Sequence, residues 1–389
     1  MISGVDREPN VCIMMGNSQI KCVDSYKHVG VVLSSNRNEH KKAISERMNS
    51  ARSKLLASKG IGSTNVPVPV VVLNKIYWSV IIPSLTYGFD VLPLDDSDMA
   101  ELEHSHRINA KIVANVSFQV STPTPYAPLG WMSMRGFIFM CRLMFMFRLL
   151  CMNSDNVYKR MMLFRLDEIS VIGQTRRVHR GPVDLMYDAL DYYNLREKFL
   201  PCLGTRAFGE LAYWKKLIKT TVWKYEKIQW FSSCYMYNSL NYYRIIVTDI
   251  KLHTWWDIAK HLPHLSKKIS SLMSVVMGSE PIKLHCNFDS KYCGLCQSRT
   301  IESVLHILFG CKDLGAVRFS LLNSITESMP DAMRYSFRNM IVEDKVIFLL
   351  SAMHSKYTKE WSNLYKNIVI FVHKMYTERS VKYKALEMS

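Results

Sequence analysis

One short stretch of this sequence, YCGLCQSRTIESVLHILFGC (residues 292–311), holds four side chains that can bind a metal. They are Cys293, Cys296, His306 and Cys311. Their spacing, C-x2-C-x9-H-x4-C, supplies the thiolates and imidazole that Zn²⁺ prefers, and one ion would tie together four points of the chain. We therefore expect a small structural zinc knuckle at 286–313, with His285 or Cys286 as substitutes for one of the four ligands.

The composition favours a folded protein with a polyanionic partner. Of 389 residues, 48% are hydrophobic, and 50 Lys and Arg against 33 Asp and Glu give a net charge of +17. This length suits two or three domains, and this charge favours RNA or DNA as a partner. Ten cysteines are too few for a disulfide scaffold, and no secretory signal is apparent, so we expect an intracellular protein of the nucleus or cytoplasm.

The longest apolar run is interrupted by charge. GFIFMCRLMFMFRLLCM, at Gly136–Met152, contains Arg142 and Arg148. A membrane span needs about 18 or more residues with few or no charges, so this run predicts a buried core helix and no membrane association.

The periodicity of the sequence predicts a mainly α fold. Residues 1–36 predict a hairpin with a Gly16-Asn17 turn and a third strand. The remaining predicted segments are a helical domain at 37–152, a basic linker at 153–211, a Trp- and Lys-rich helical segment at 212–285, the knuckle, and C-terminal helices at 314–389. Within the first helical domain, Pro83 is expected to kink or end a helix.

Basic residues mark three candidate nucleic-acid contacts. The stretch Glu39–Lys59 predicts an amphipathic helix whose apolar face carries Ile44, Met48, Ala51 and Leu55. The candidate contacts on this helix are Lys41, Lys42, Arg47, Arg52 and Lys54. The linker adds Arg176, Arg177 and Arg180, and the Trp-rich segment adds Lys215, Lys216 and Lys219. Aromatic and basic residues together can bind unpaired nucleic acid, yet the tryptophans equally suit core positions with lysines facing water.

Two alternatives to a non-catalytic nucleic-acid-binding protein stay open. Asp331, Glu343 and Lys345 formally match the acidic and lysine residues of a PD-(D/E)xK nuclease, although Asp331 sits where a helix N-cap is expected and that nuclease core requires strands. The other reading is a protein-interaction scaffold in which zinc only folds the C-terminal module.

The order of several segments resembles a known family. IKCVDSYKHVGVVLSS, a basic helix, KIYWSVIIPSLTYGFDVLPLDDSDMAELEHSHRINAKIV, YAPLGWMS and the Cys/His segment follow one another as in the C-terminal part of a non-LTR (LINE-type) retrotransposon reverse transcriptase. The resemblance implies a palm end, a helical thumb, a connector and a CCHC knuckle that binds nucleic acid. It also implies a primer-grip-like stretch made of Tyr26, Lys27, His28, Val29 and Gly30.

The resemblance excludes one activity for this chain alone. The family's polymerase site places paired aspartates in an aromatic-x-Asp-Asp motif to hold two metal ions, and this sequence has no such motif. Asp95 and Asp96 follow the primer-grip-like stretch in an expected helix cap. We therefore expect no polymerase activity unless other retrotransposon-encoded chains supply the missing parts.

Overall fold

The computed structural model describes residues 13–20, 25–34, 37–61, 67–172, 181–278, 292–296, 298, 300–352 and 358–388. Strands occupy only the start of this range, and helices dominate the rest, so the prediction of a mainly α fold is confirmed. The strands are β1 (Ile13–Met15), β2 (Ser18–Ile20), β3 (Ser25–His28) and β4 (Val31–Ser34). The first eight helices are α1 (Arg37–Gly60), α2 (Val70–Ile76), α3 (Ile82–Thr86), α4 (Asp96–Ala114), α5 (Met134–Leu150), α6 (Val157–Ile172), α7 (Pro182–Tyr192) and α8 (Arg196–Thr205). The later helices are α9 (Leu211–Tyr235), α10 (Asn241–Ile246), α11 (Thr254–His261), α12 (Ser266–Val276), α13 (Gly315–Glu327), α14 (Asp331–Asn339), α15 (Val342–Ser351) and α16 (Ser362–Met388).

The N-terminal strands form two separate antiparallel hairpins. The first turns at Gly16-Asn17 as predicted, with Gly16 at a φ of +60°. Where the sequence predicted one further strand, the structure has the second hairpin, β3–β4. Its turn is Val29-Gly30, with φ angles of +46° and +83°, and two positive φ angles are what a two-residue hairpin turn of type I′ requires.

Pro83 interrupts the helical segment that contains it. A proline lacks the N–H that would bond the carbonyl of Ser79, and its ring clashes with that carbonyl in a regular helix. The chain opens into a π-helical turn at Tyr77–Ile81 and resumes as α3, with Pro83 in the first turn. The predicted break is confirmed.

Helix α4 begins with a reciprocal cap. The Asp98 amide donates to Oδ1 of Asp95 at 2.8 Å, and the Asp95 amide donates to Oδ2 of Asp98 at 3.0 Å. The cap residue is thus Asp95, Asp98 completes the capping box, and Asp96 is the first residue of the helix.

The contacts divide the chain into two compact units. Unit 1 comprises Met1–Lys54, Trp78–His106 and Ser133–Glu226, and unit 2 comprises Leu55–Tyr77, Arg107–Met132 and Lys227–Ser389. In unit 1, α5 packs on α6 and α7 and is the predicted buried core helix. Its Arg142 is 2% exposed and donates to the carbonyls of Phe89 and Leu92 at 3.2 and 3.0 Å.

Unit 2 is built around its own aromatic core. Helix α16 packs on α12 and α13, and α11 packs on α2 and α12. Trp255 and Trp256 of α11 are fully buried, and the Trp255 indole donates to the carbonyl of Leu350 at 2.7 Å. Tyr77 and Trp131 stack with ring centroids 4.2 Å apart.

The prediction of a basic linker at 153–211 is wrong. The segment contains α6, α7 and α8, because apolar residues at helical spacing give each helix a buried face. In α6 that face carries Met162, Leu166 and Ile169, at i, i+4 and i+7. The charged residues of α6 and α8 are exposed or half-buried, whereas Asp184 of α7 is buried and pairs with Arg165 at 3.1 Å.

None of the helices in the described ranges is long and apolar enough to cross a membrane.

Candidate metal centre

The first two ligand cysteines lie in a tight loop between two short extended segments. Tyr292 and Ile301 form an antiparallel bridge, and the Cys293 amide donates to the carbonyl of Thr300 at 2.9 Å. The bridge closes a loop that carries Cys296 back towards Cys293. This local pairing places the two thiols on one side of the loop.

A π-helical turn at His306–Gly310 brings the second pair together. The Cys311 amide donates to the carbonyl of His306 at 2.7 Å, which closes the turn. Gly310 lies against the imidazole, where an added Cβ would come within 3.0 Å of Nδ1 of His306. Ile307 and Leu308 bury their side chains and anchor the turn in unit 2.

The four ligand atoms have the spacing of a tetrahedral metal site. They all lie within 4.8 Å of one another, with Sγ of Cys293 and Cys311 4.0 Å apart. Sγ of Cys296 lies 3.5 Å from Nε2 of His306. Around a tetrahedral Zn²⁺, two sulfurs lie about 3.8 Å apart, and a sulfur lies about 3.6 Å from an imidazole nitrogen. The predicted cluster of Cys293, Cys296, His306 and Cys311 is confirmed as a group compatible with a metal, while His285 and Cys286 lie outside the described residues.

The local electrostatics suit a bound cation. Burial lowers the pKa of His306, which favours the neutral imidazole that a metal requires. Burial and the neighbouring Cys293 raise the pKa of the Cys311 thiol to about 12. At Cys296 burial opposes ionisation, but hydrogen bonds from the Ser298 hydroxyl and amide prevail and lower the pKa of the thiol. A divalent metal would compensate the buried thiolates.

Arg318 holds the ligand-bearing turn. Its Nε donates to the carbonyl of Leu308 at 2.8 Å, and its Nη2 donates to the carbonyl of Cys311 at 2.5 Å. Arg318 lies in α13, so the helix that follows the ligands stabilises the end of the turn.

A buried ion pair fixes the ligand loops to α16, and the sequence reasoning missed it. Arg379 donates through Nε and Nη2 to the two carboxylate oxygens of Glu302, both at 2.6 Å. Tyr383 donates to Glu302 at 3.1 Å and accepts from the Gly294 amide at 2.9 Å. These residues are 77 and more positions apart in sequence, so no local pattern could have paired Glu302 with α16.

Four of the five candidate nucleic-acid contacts on α1 are exposed to solvent, and Arg47 is half-buried. The predicted apolar face is buried, and Lys41, Lys42 and Arg52 are exposed. Lys54 is exposed and donates to the Ser84 hydroxyl at 2.8 Å.

Arg47 has a structural role instead. It donates to the carbonyls of Tyr87 and Gly30 at 2.7 and 3.1 Å and lies over the Phe89 ring. Burial lowers the pKa of Arg47. Its guanidinium is thus committed to carbonyls of its own unit, which corrects its assignment as a phosphate contact.

In α9 the tryptophans serve the core. Trp214 and Trp230 are buried, Trp223 is half-buried, and Lys215, Lys216 and Lys219 are exposed. This arrangement favours the interpretation with core tryptophans and water-facing lysines. Arg176, Arg177 and Arg180 lie outside the described residues.

The primer-grip-like stretch comprises most of β3 and the turn of the β3–β4 hairpin. Tyr26, Lys27, His28, Val29 and Gly30 are all exposed. His28 and Val29 line an apolar cavity of about 660 Å³ together with the Thr86–Val91 segment and α5. The stretch is therefore placed on the surface of unit 1, at the rim of this cavity.

The residues of the nuclease hypothesis lie on helices. Asp331 is the first residue of α14, after Pro330 in the cap position, and pairs with Arg334 at 3.2 Å. Glu343 and Lys345 belong to α15, where Lys345 donates to the carbonyl of Arg338 at 3.1 Å. The strands that this nuclease core needs are replaced by helices at these positions.

Within the part of the chain that the structure describes, the Cys/His quartet is the one group of three or more potential metal ligands. Comparisons with protein-family models, with curated proteins and with solved structures return no match for this chain.

Proposed function

We propose that this chain is a zinc-containing, nucleic-acid-binding protein, the C-terminal part of a non-LTR retrotransposon reverse transcriptase without the polymerase site. The observation that supports this most is the tetrahedral spacing of three cysteines and one histidine in a chain with a net charge of +17. The donor set of three thiols and one imidazole is typical of Zn²⁺.

The zinc has a structural role in this proposal. Four protein ligands fill a tetrahedral shell and leave no open position for water or substrate, as in structural zinc sites. Fixing the ligand loops also fixes Glu302 against Arg379, which couples the metal to the packing of α16. The zinc thus folds the C-terminal part of unit 2.

The nucleic acid binds to exposed cations outside the metal shell. Lys41, Lys42 and Arg52 project from α1 into solvent, and Lys215, Lys216 and Lys219 do so from α9. Such cations neutralise phosphates and release counterions, so binding weakens as salt rises. Polymerisation would require paired aspartates from another retrotransposon-encoded chain.

The zinc is tested by metal analysis of purified protein. We expect one zinc per chain in the wild type and loss of that zinc in Cys296→Ser and in His306→Ala. Cys202→Ser is the matched control, because Cys202 lies in α8 of unit 1, where its thiol contacts the carbonyl of Lys198. Zinc-free wild-type protein, or zinc retained by both ligand variants, would contradict the metal assignment.

Nucleic-acid binding is tested by fluorescence anisotropy of labelled RNA and DNA over a range of salt. We expect a variant with Lys41→Gln, Lys42→Gln and Arg52→Gln to lower the slope of log K against log salt by about two to three. Salt-insensitive binding, or a slope that these changes leave unaltered, would contradict the placement on α1. Because metal content is measured on the same samples, failure here is separable from failure of the zinc assignment.

A further inference from the structure

Helix α6 of unit 1 has two apolar faces, and one of them is open to solvent. Its buried face anchors it in the unit, as described above. Its other face exposes large apolar side chains on successive turns: Val157 at 53%, Met161 at 64% and Phe164 at 67%. Tyr158, beside them, is 63% exposed.

The spacing of this second face is that of a helix–helix seam. Val157, Met161 and Phe164 stand at i, i+4 and i+7, the alternation of four and three that places residues on the contact line of two paired helices. Single exposed apolar residues are ordinary, but a contiguous stripe marks an interaction site. We call these three residues the α6 stripe.

The charges beside the α6 stripe have mixed sign. Arg160 and Asp167 flank it on one side, and Arg165 flanks it on the other. Asp167 pairs with Arg206, and Arg165 pairs with the buried Asp184 and with Glu168, which ends the stripe at i+11 with a carboxylate. A polyanion would meet carboxylates here, so the surface suits a protein helix.

The flanking residues are complementary to a second copy of the same helix. When two α6 helices pair antiparallel with Met161 of one opposite Phe164 of the other, the heptad positions place Arg160 opposite Asp167 of the second copy. The same register places Tyr158 on the same side of the seam as Arg165 of the second copy. Each of these contacts occurs twice around the two-fold axis, as an isologous interface requires.

We propose that the α6 stripe is a homodimerisation surface, on which a second copy of this chain docks its own α6 in antiparallel orientation. The exposed parts of Tyr158 and of the three stripe residues would bury roughly 400 to 500 Å² per copy, a total of about 800 to 1,000 Å² that lies below the range of stable specific interfaces and suits a transient one. The dimer is therefore weak and concentration-dependent. It needs neither the metal nor nucleic acid, so it is independent of the proposed function.

The first test is sedimentation equilibrium of nucleic-acid-free protein at increasing concentration. We expect the wild type to shift from monomer to dimer, and Met161→Glu to raise the dissociation constant about tenfold or more. Phe319→Glu is the control, since Phe319 is 71% exposed on α13 outside the α6 stripe. A wild type that stays monomeric at about 100 μM, or equal dimerisation by Met161→Glu, would overturn the proposal.

The second test reverses charges beside the α6 stripe to show that a second copy of this chain binds there. Arg160→Glu alone and Asp167→Lys alone each place like charges opposite one another in the homodimer, so each is expected to dimerise more weakly than the wild type. In an equimolar mixture the heterodimer regains both opposite-charge pairs, and we expect the mixture to dimerise more strongly than either variant alone. A mixture that only averages its two components would overturn the antiparallel register. Circular dichroism of each variant checks that α6 remains folded.

Discussion

The two units bury an arginine in different ways. In unit 1, Arg142 gives its hydrogen bonds to main-chain carbonyls, and burial lowers its pKa to about 10 despite the more distant carboxylates of Asp188 and Asp90. In unit 2, burial also acts on Arg379, but its ion pair with Glu302 outweighs that effect and raises its pKa. The first arginine is held by neutral acceptors, and the second is held by an opposite charge.

His253 is a third buried basic group, and burial keeps it in the neutral form. His253 in unit 2 uses Nδ1 to accept from the Trp255 amide at 3.3 Å and so caps α11. Burial, with a smaller effect of Lys251, lowers the pKa of His253 to about 4. A base without an acceptor for its charge thus stays neutral, and the three sites should respond differently to mutation and pH.

Removal of the proposed zinc should have the largest effect and should be confined to unit 2. Structural zinc binds with an apparent free energy of about 10 to 16 kcal/mol in small zinc modules, so a chelator should unfold the ligand loops and release Glu302 from Arg379. Hydrogen exchange should rise along α16 near Arg379 and Tyr383, while α5 near Arg142 keeps its protection. Equal loss of protection in both helices would show that the two arginine sites are not independent.

Arg379→Met should have the second-largest effect on stability. It leaves the Glu302 carboxylate, 8% exposed, buried without its partner, and breaking such a pair costs about 3 to 5 kcal/mol. Urea unfolding should show this loss in the free energy of unfolding. Lys374→Met is the matched control, because Lys374 is an exposed cation on the same helix.

The double variant Arg379→Met with Glu302→Gln should recover much of that loss. It removes the orphaned charge and keeps an acceptor for the Tyr383 hydroxyl. If the double variant is as unstable as Arg379→Met alone, packing of the arginine stem matters more than the charge.

Acid should destabilise unit 2 through His253. Its pKa is about 4 in the folded chain and near 6.5 when unfolded, so between these values the unfolded state binds more protons. The free energy of unfolding should therefore fall as pH drops from 6.5 to 4, by at most about 3 kcal/mol. His253→Asn, which keeps a capping side chain without titrating, should show a smaller loss in urea titrations across this window. Parallel pH curves for the two proteins would contradict the assignment.

Sequence reasoning reached the features that are local in the chain. The four ligands from Cys293 to Cys311 lie in one short segment, the buried face of α1 follows from a period of 3.6 residues, and the core helix α5 follows from a long apolar run. Sequence reasoning missed the buried face of α6, made of Met162, Leu166 and Ile169, because polar residues between them made the segment look like a linker.

Contacts between residues that are far apart in sequence could not be predicted from sequence patterns. Arg47 has the sequence context of a surface cation, and only the fold brings the carbonyls of Gly30 and Tyr87 to its guanidinium. Glu302 and Arg379 are 77 residues apart, and no periodic pattern in the sequence could have predicted that they pair. Burial of charge is decided by tertiary packing, which a helical pattern does not specify.

Arg142→Met should have the smallest effect of the set, and it tests the comparison most directly. Methionine fills a similar volume, and the loss is that of hydrogen bonds to the Phe89 and Leu92 carbonyls, with no carboxylate left unpaired in direct contact. We expect a loss of about 2 kcal/mol in the free energy of unfolding, because the cost of burying the guanidinium is removed at the same time. Arg148→Met, an exposed arginine on the same helix, is the control and should be nearly neutral. A loss as large as that of Arg379→Met would mean that Asp188 and Asp90 act as full partners of Arg142, and that the two units bury their arginines by the same means.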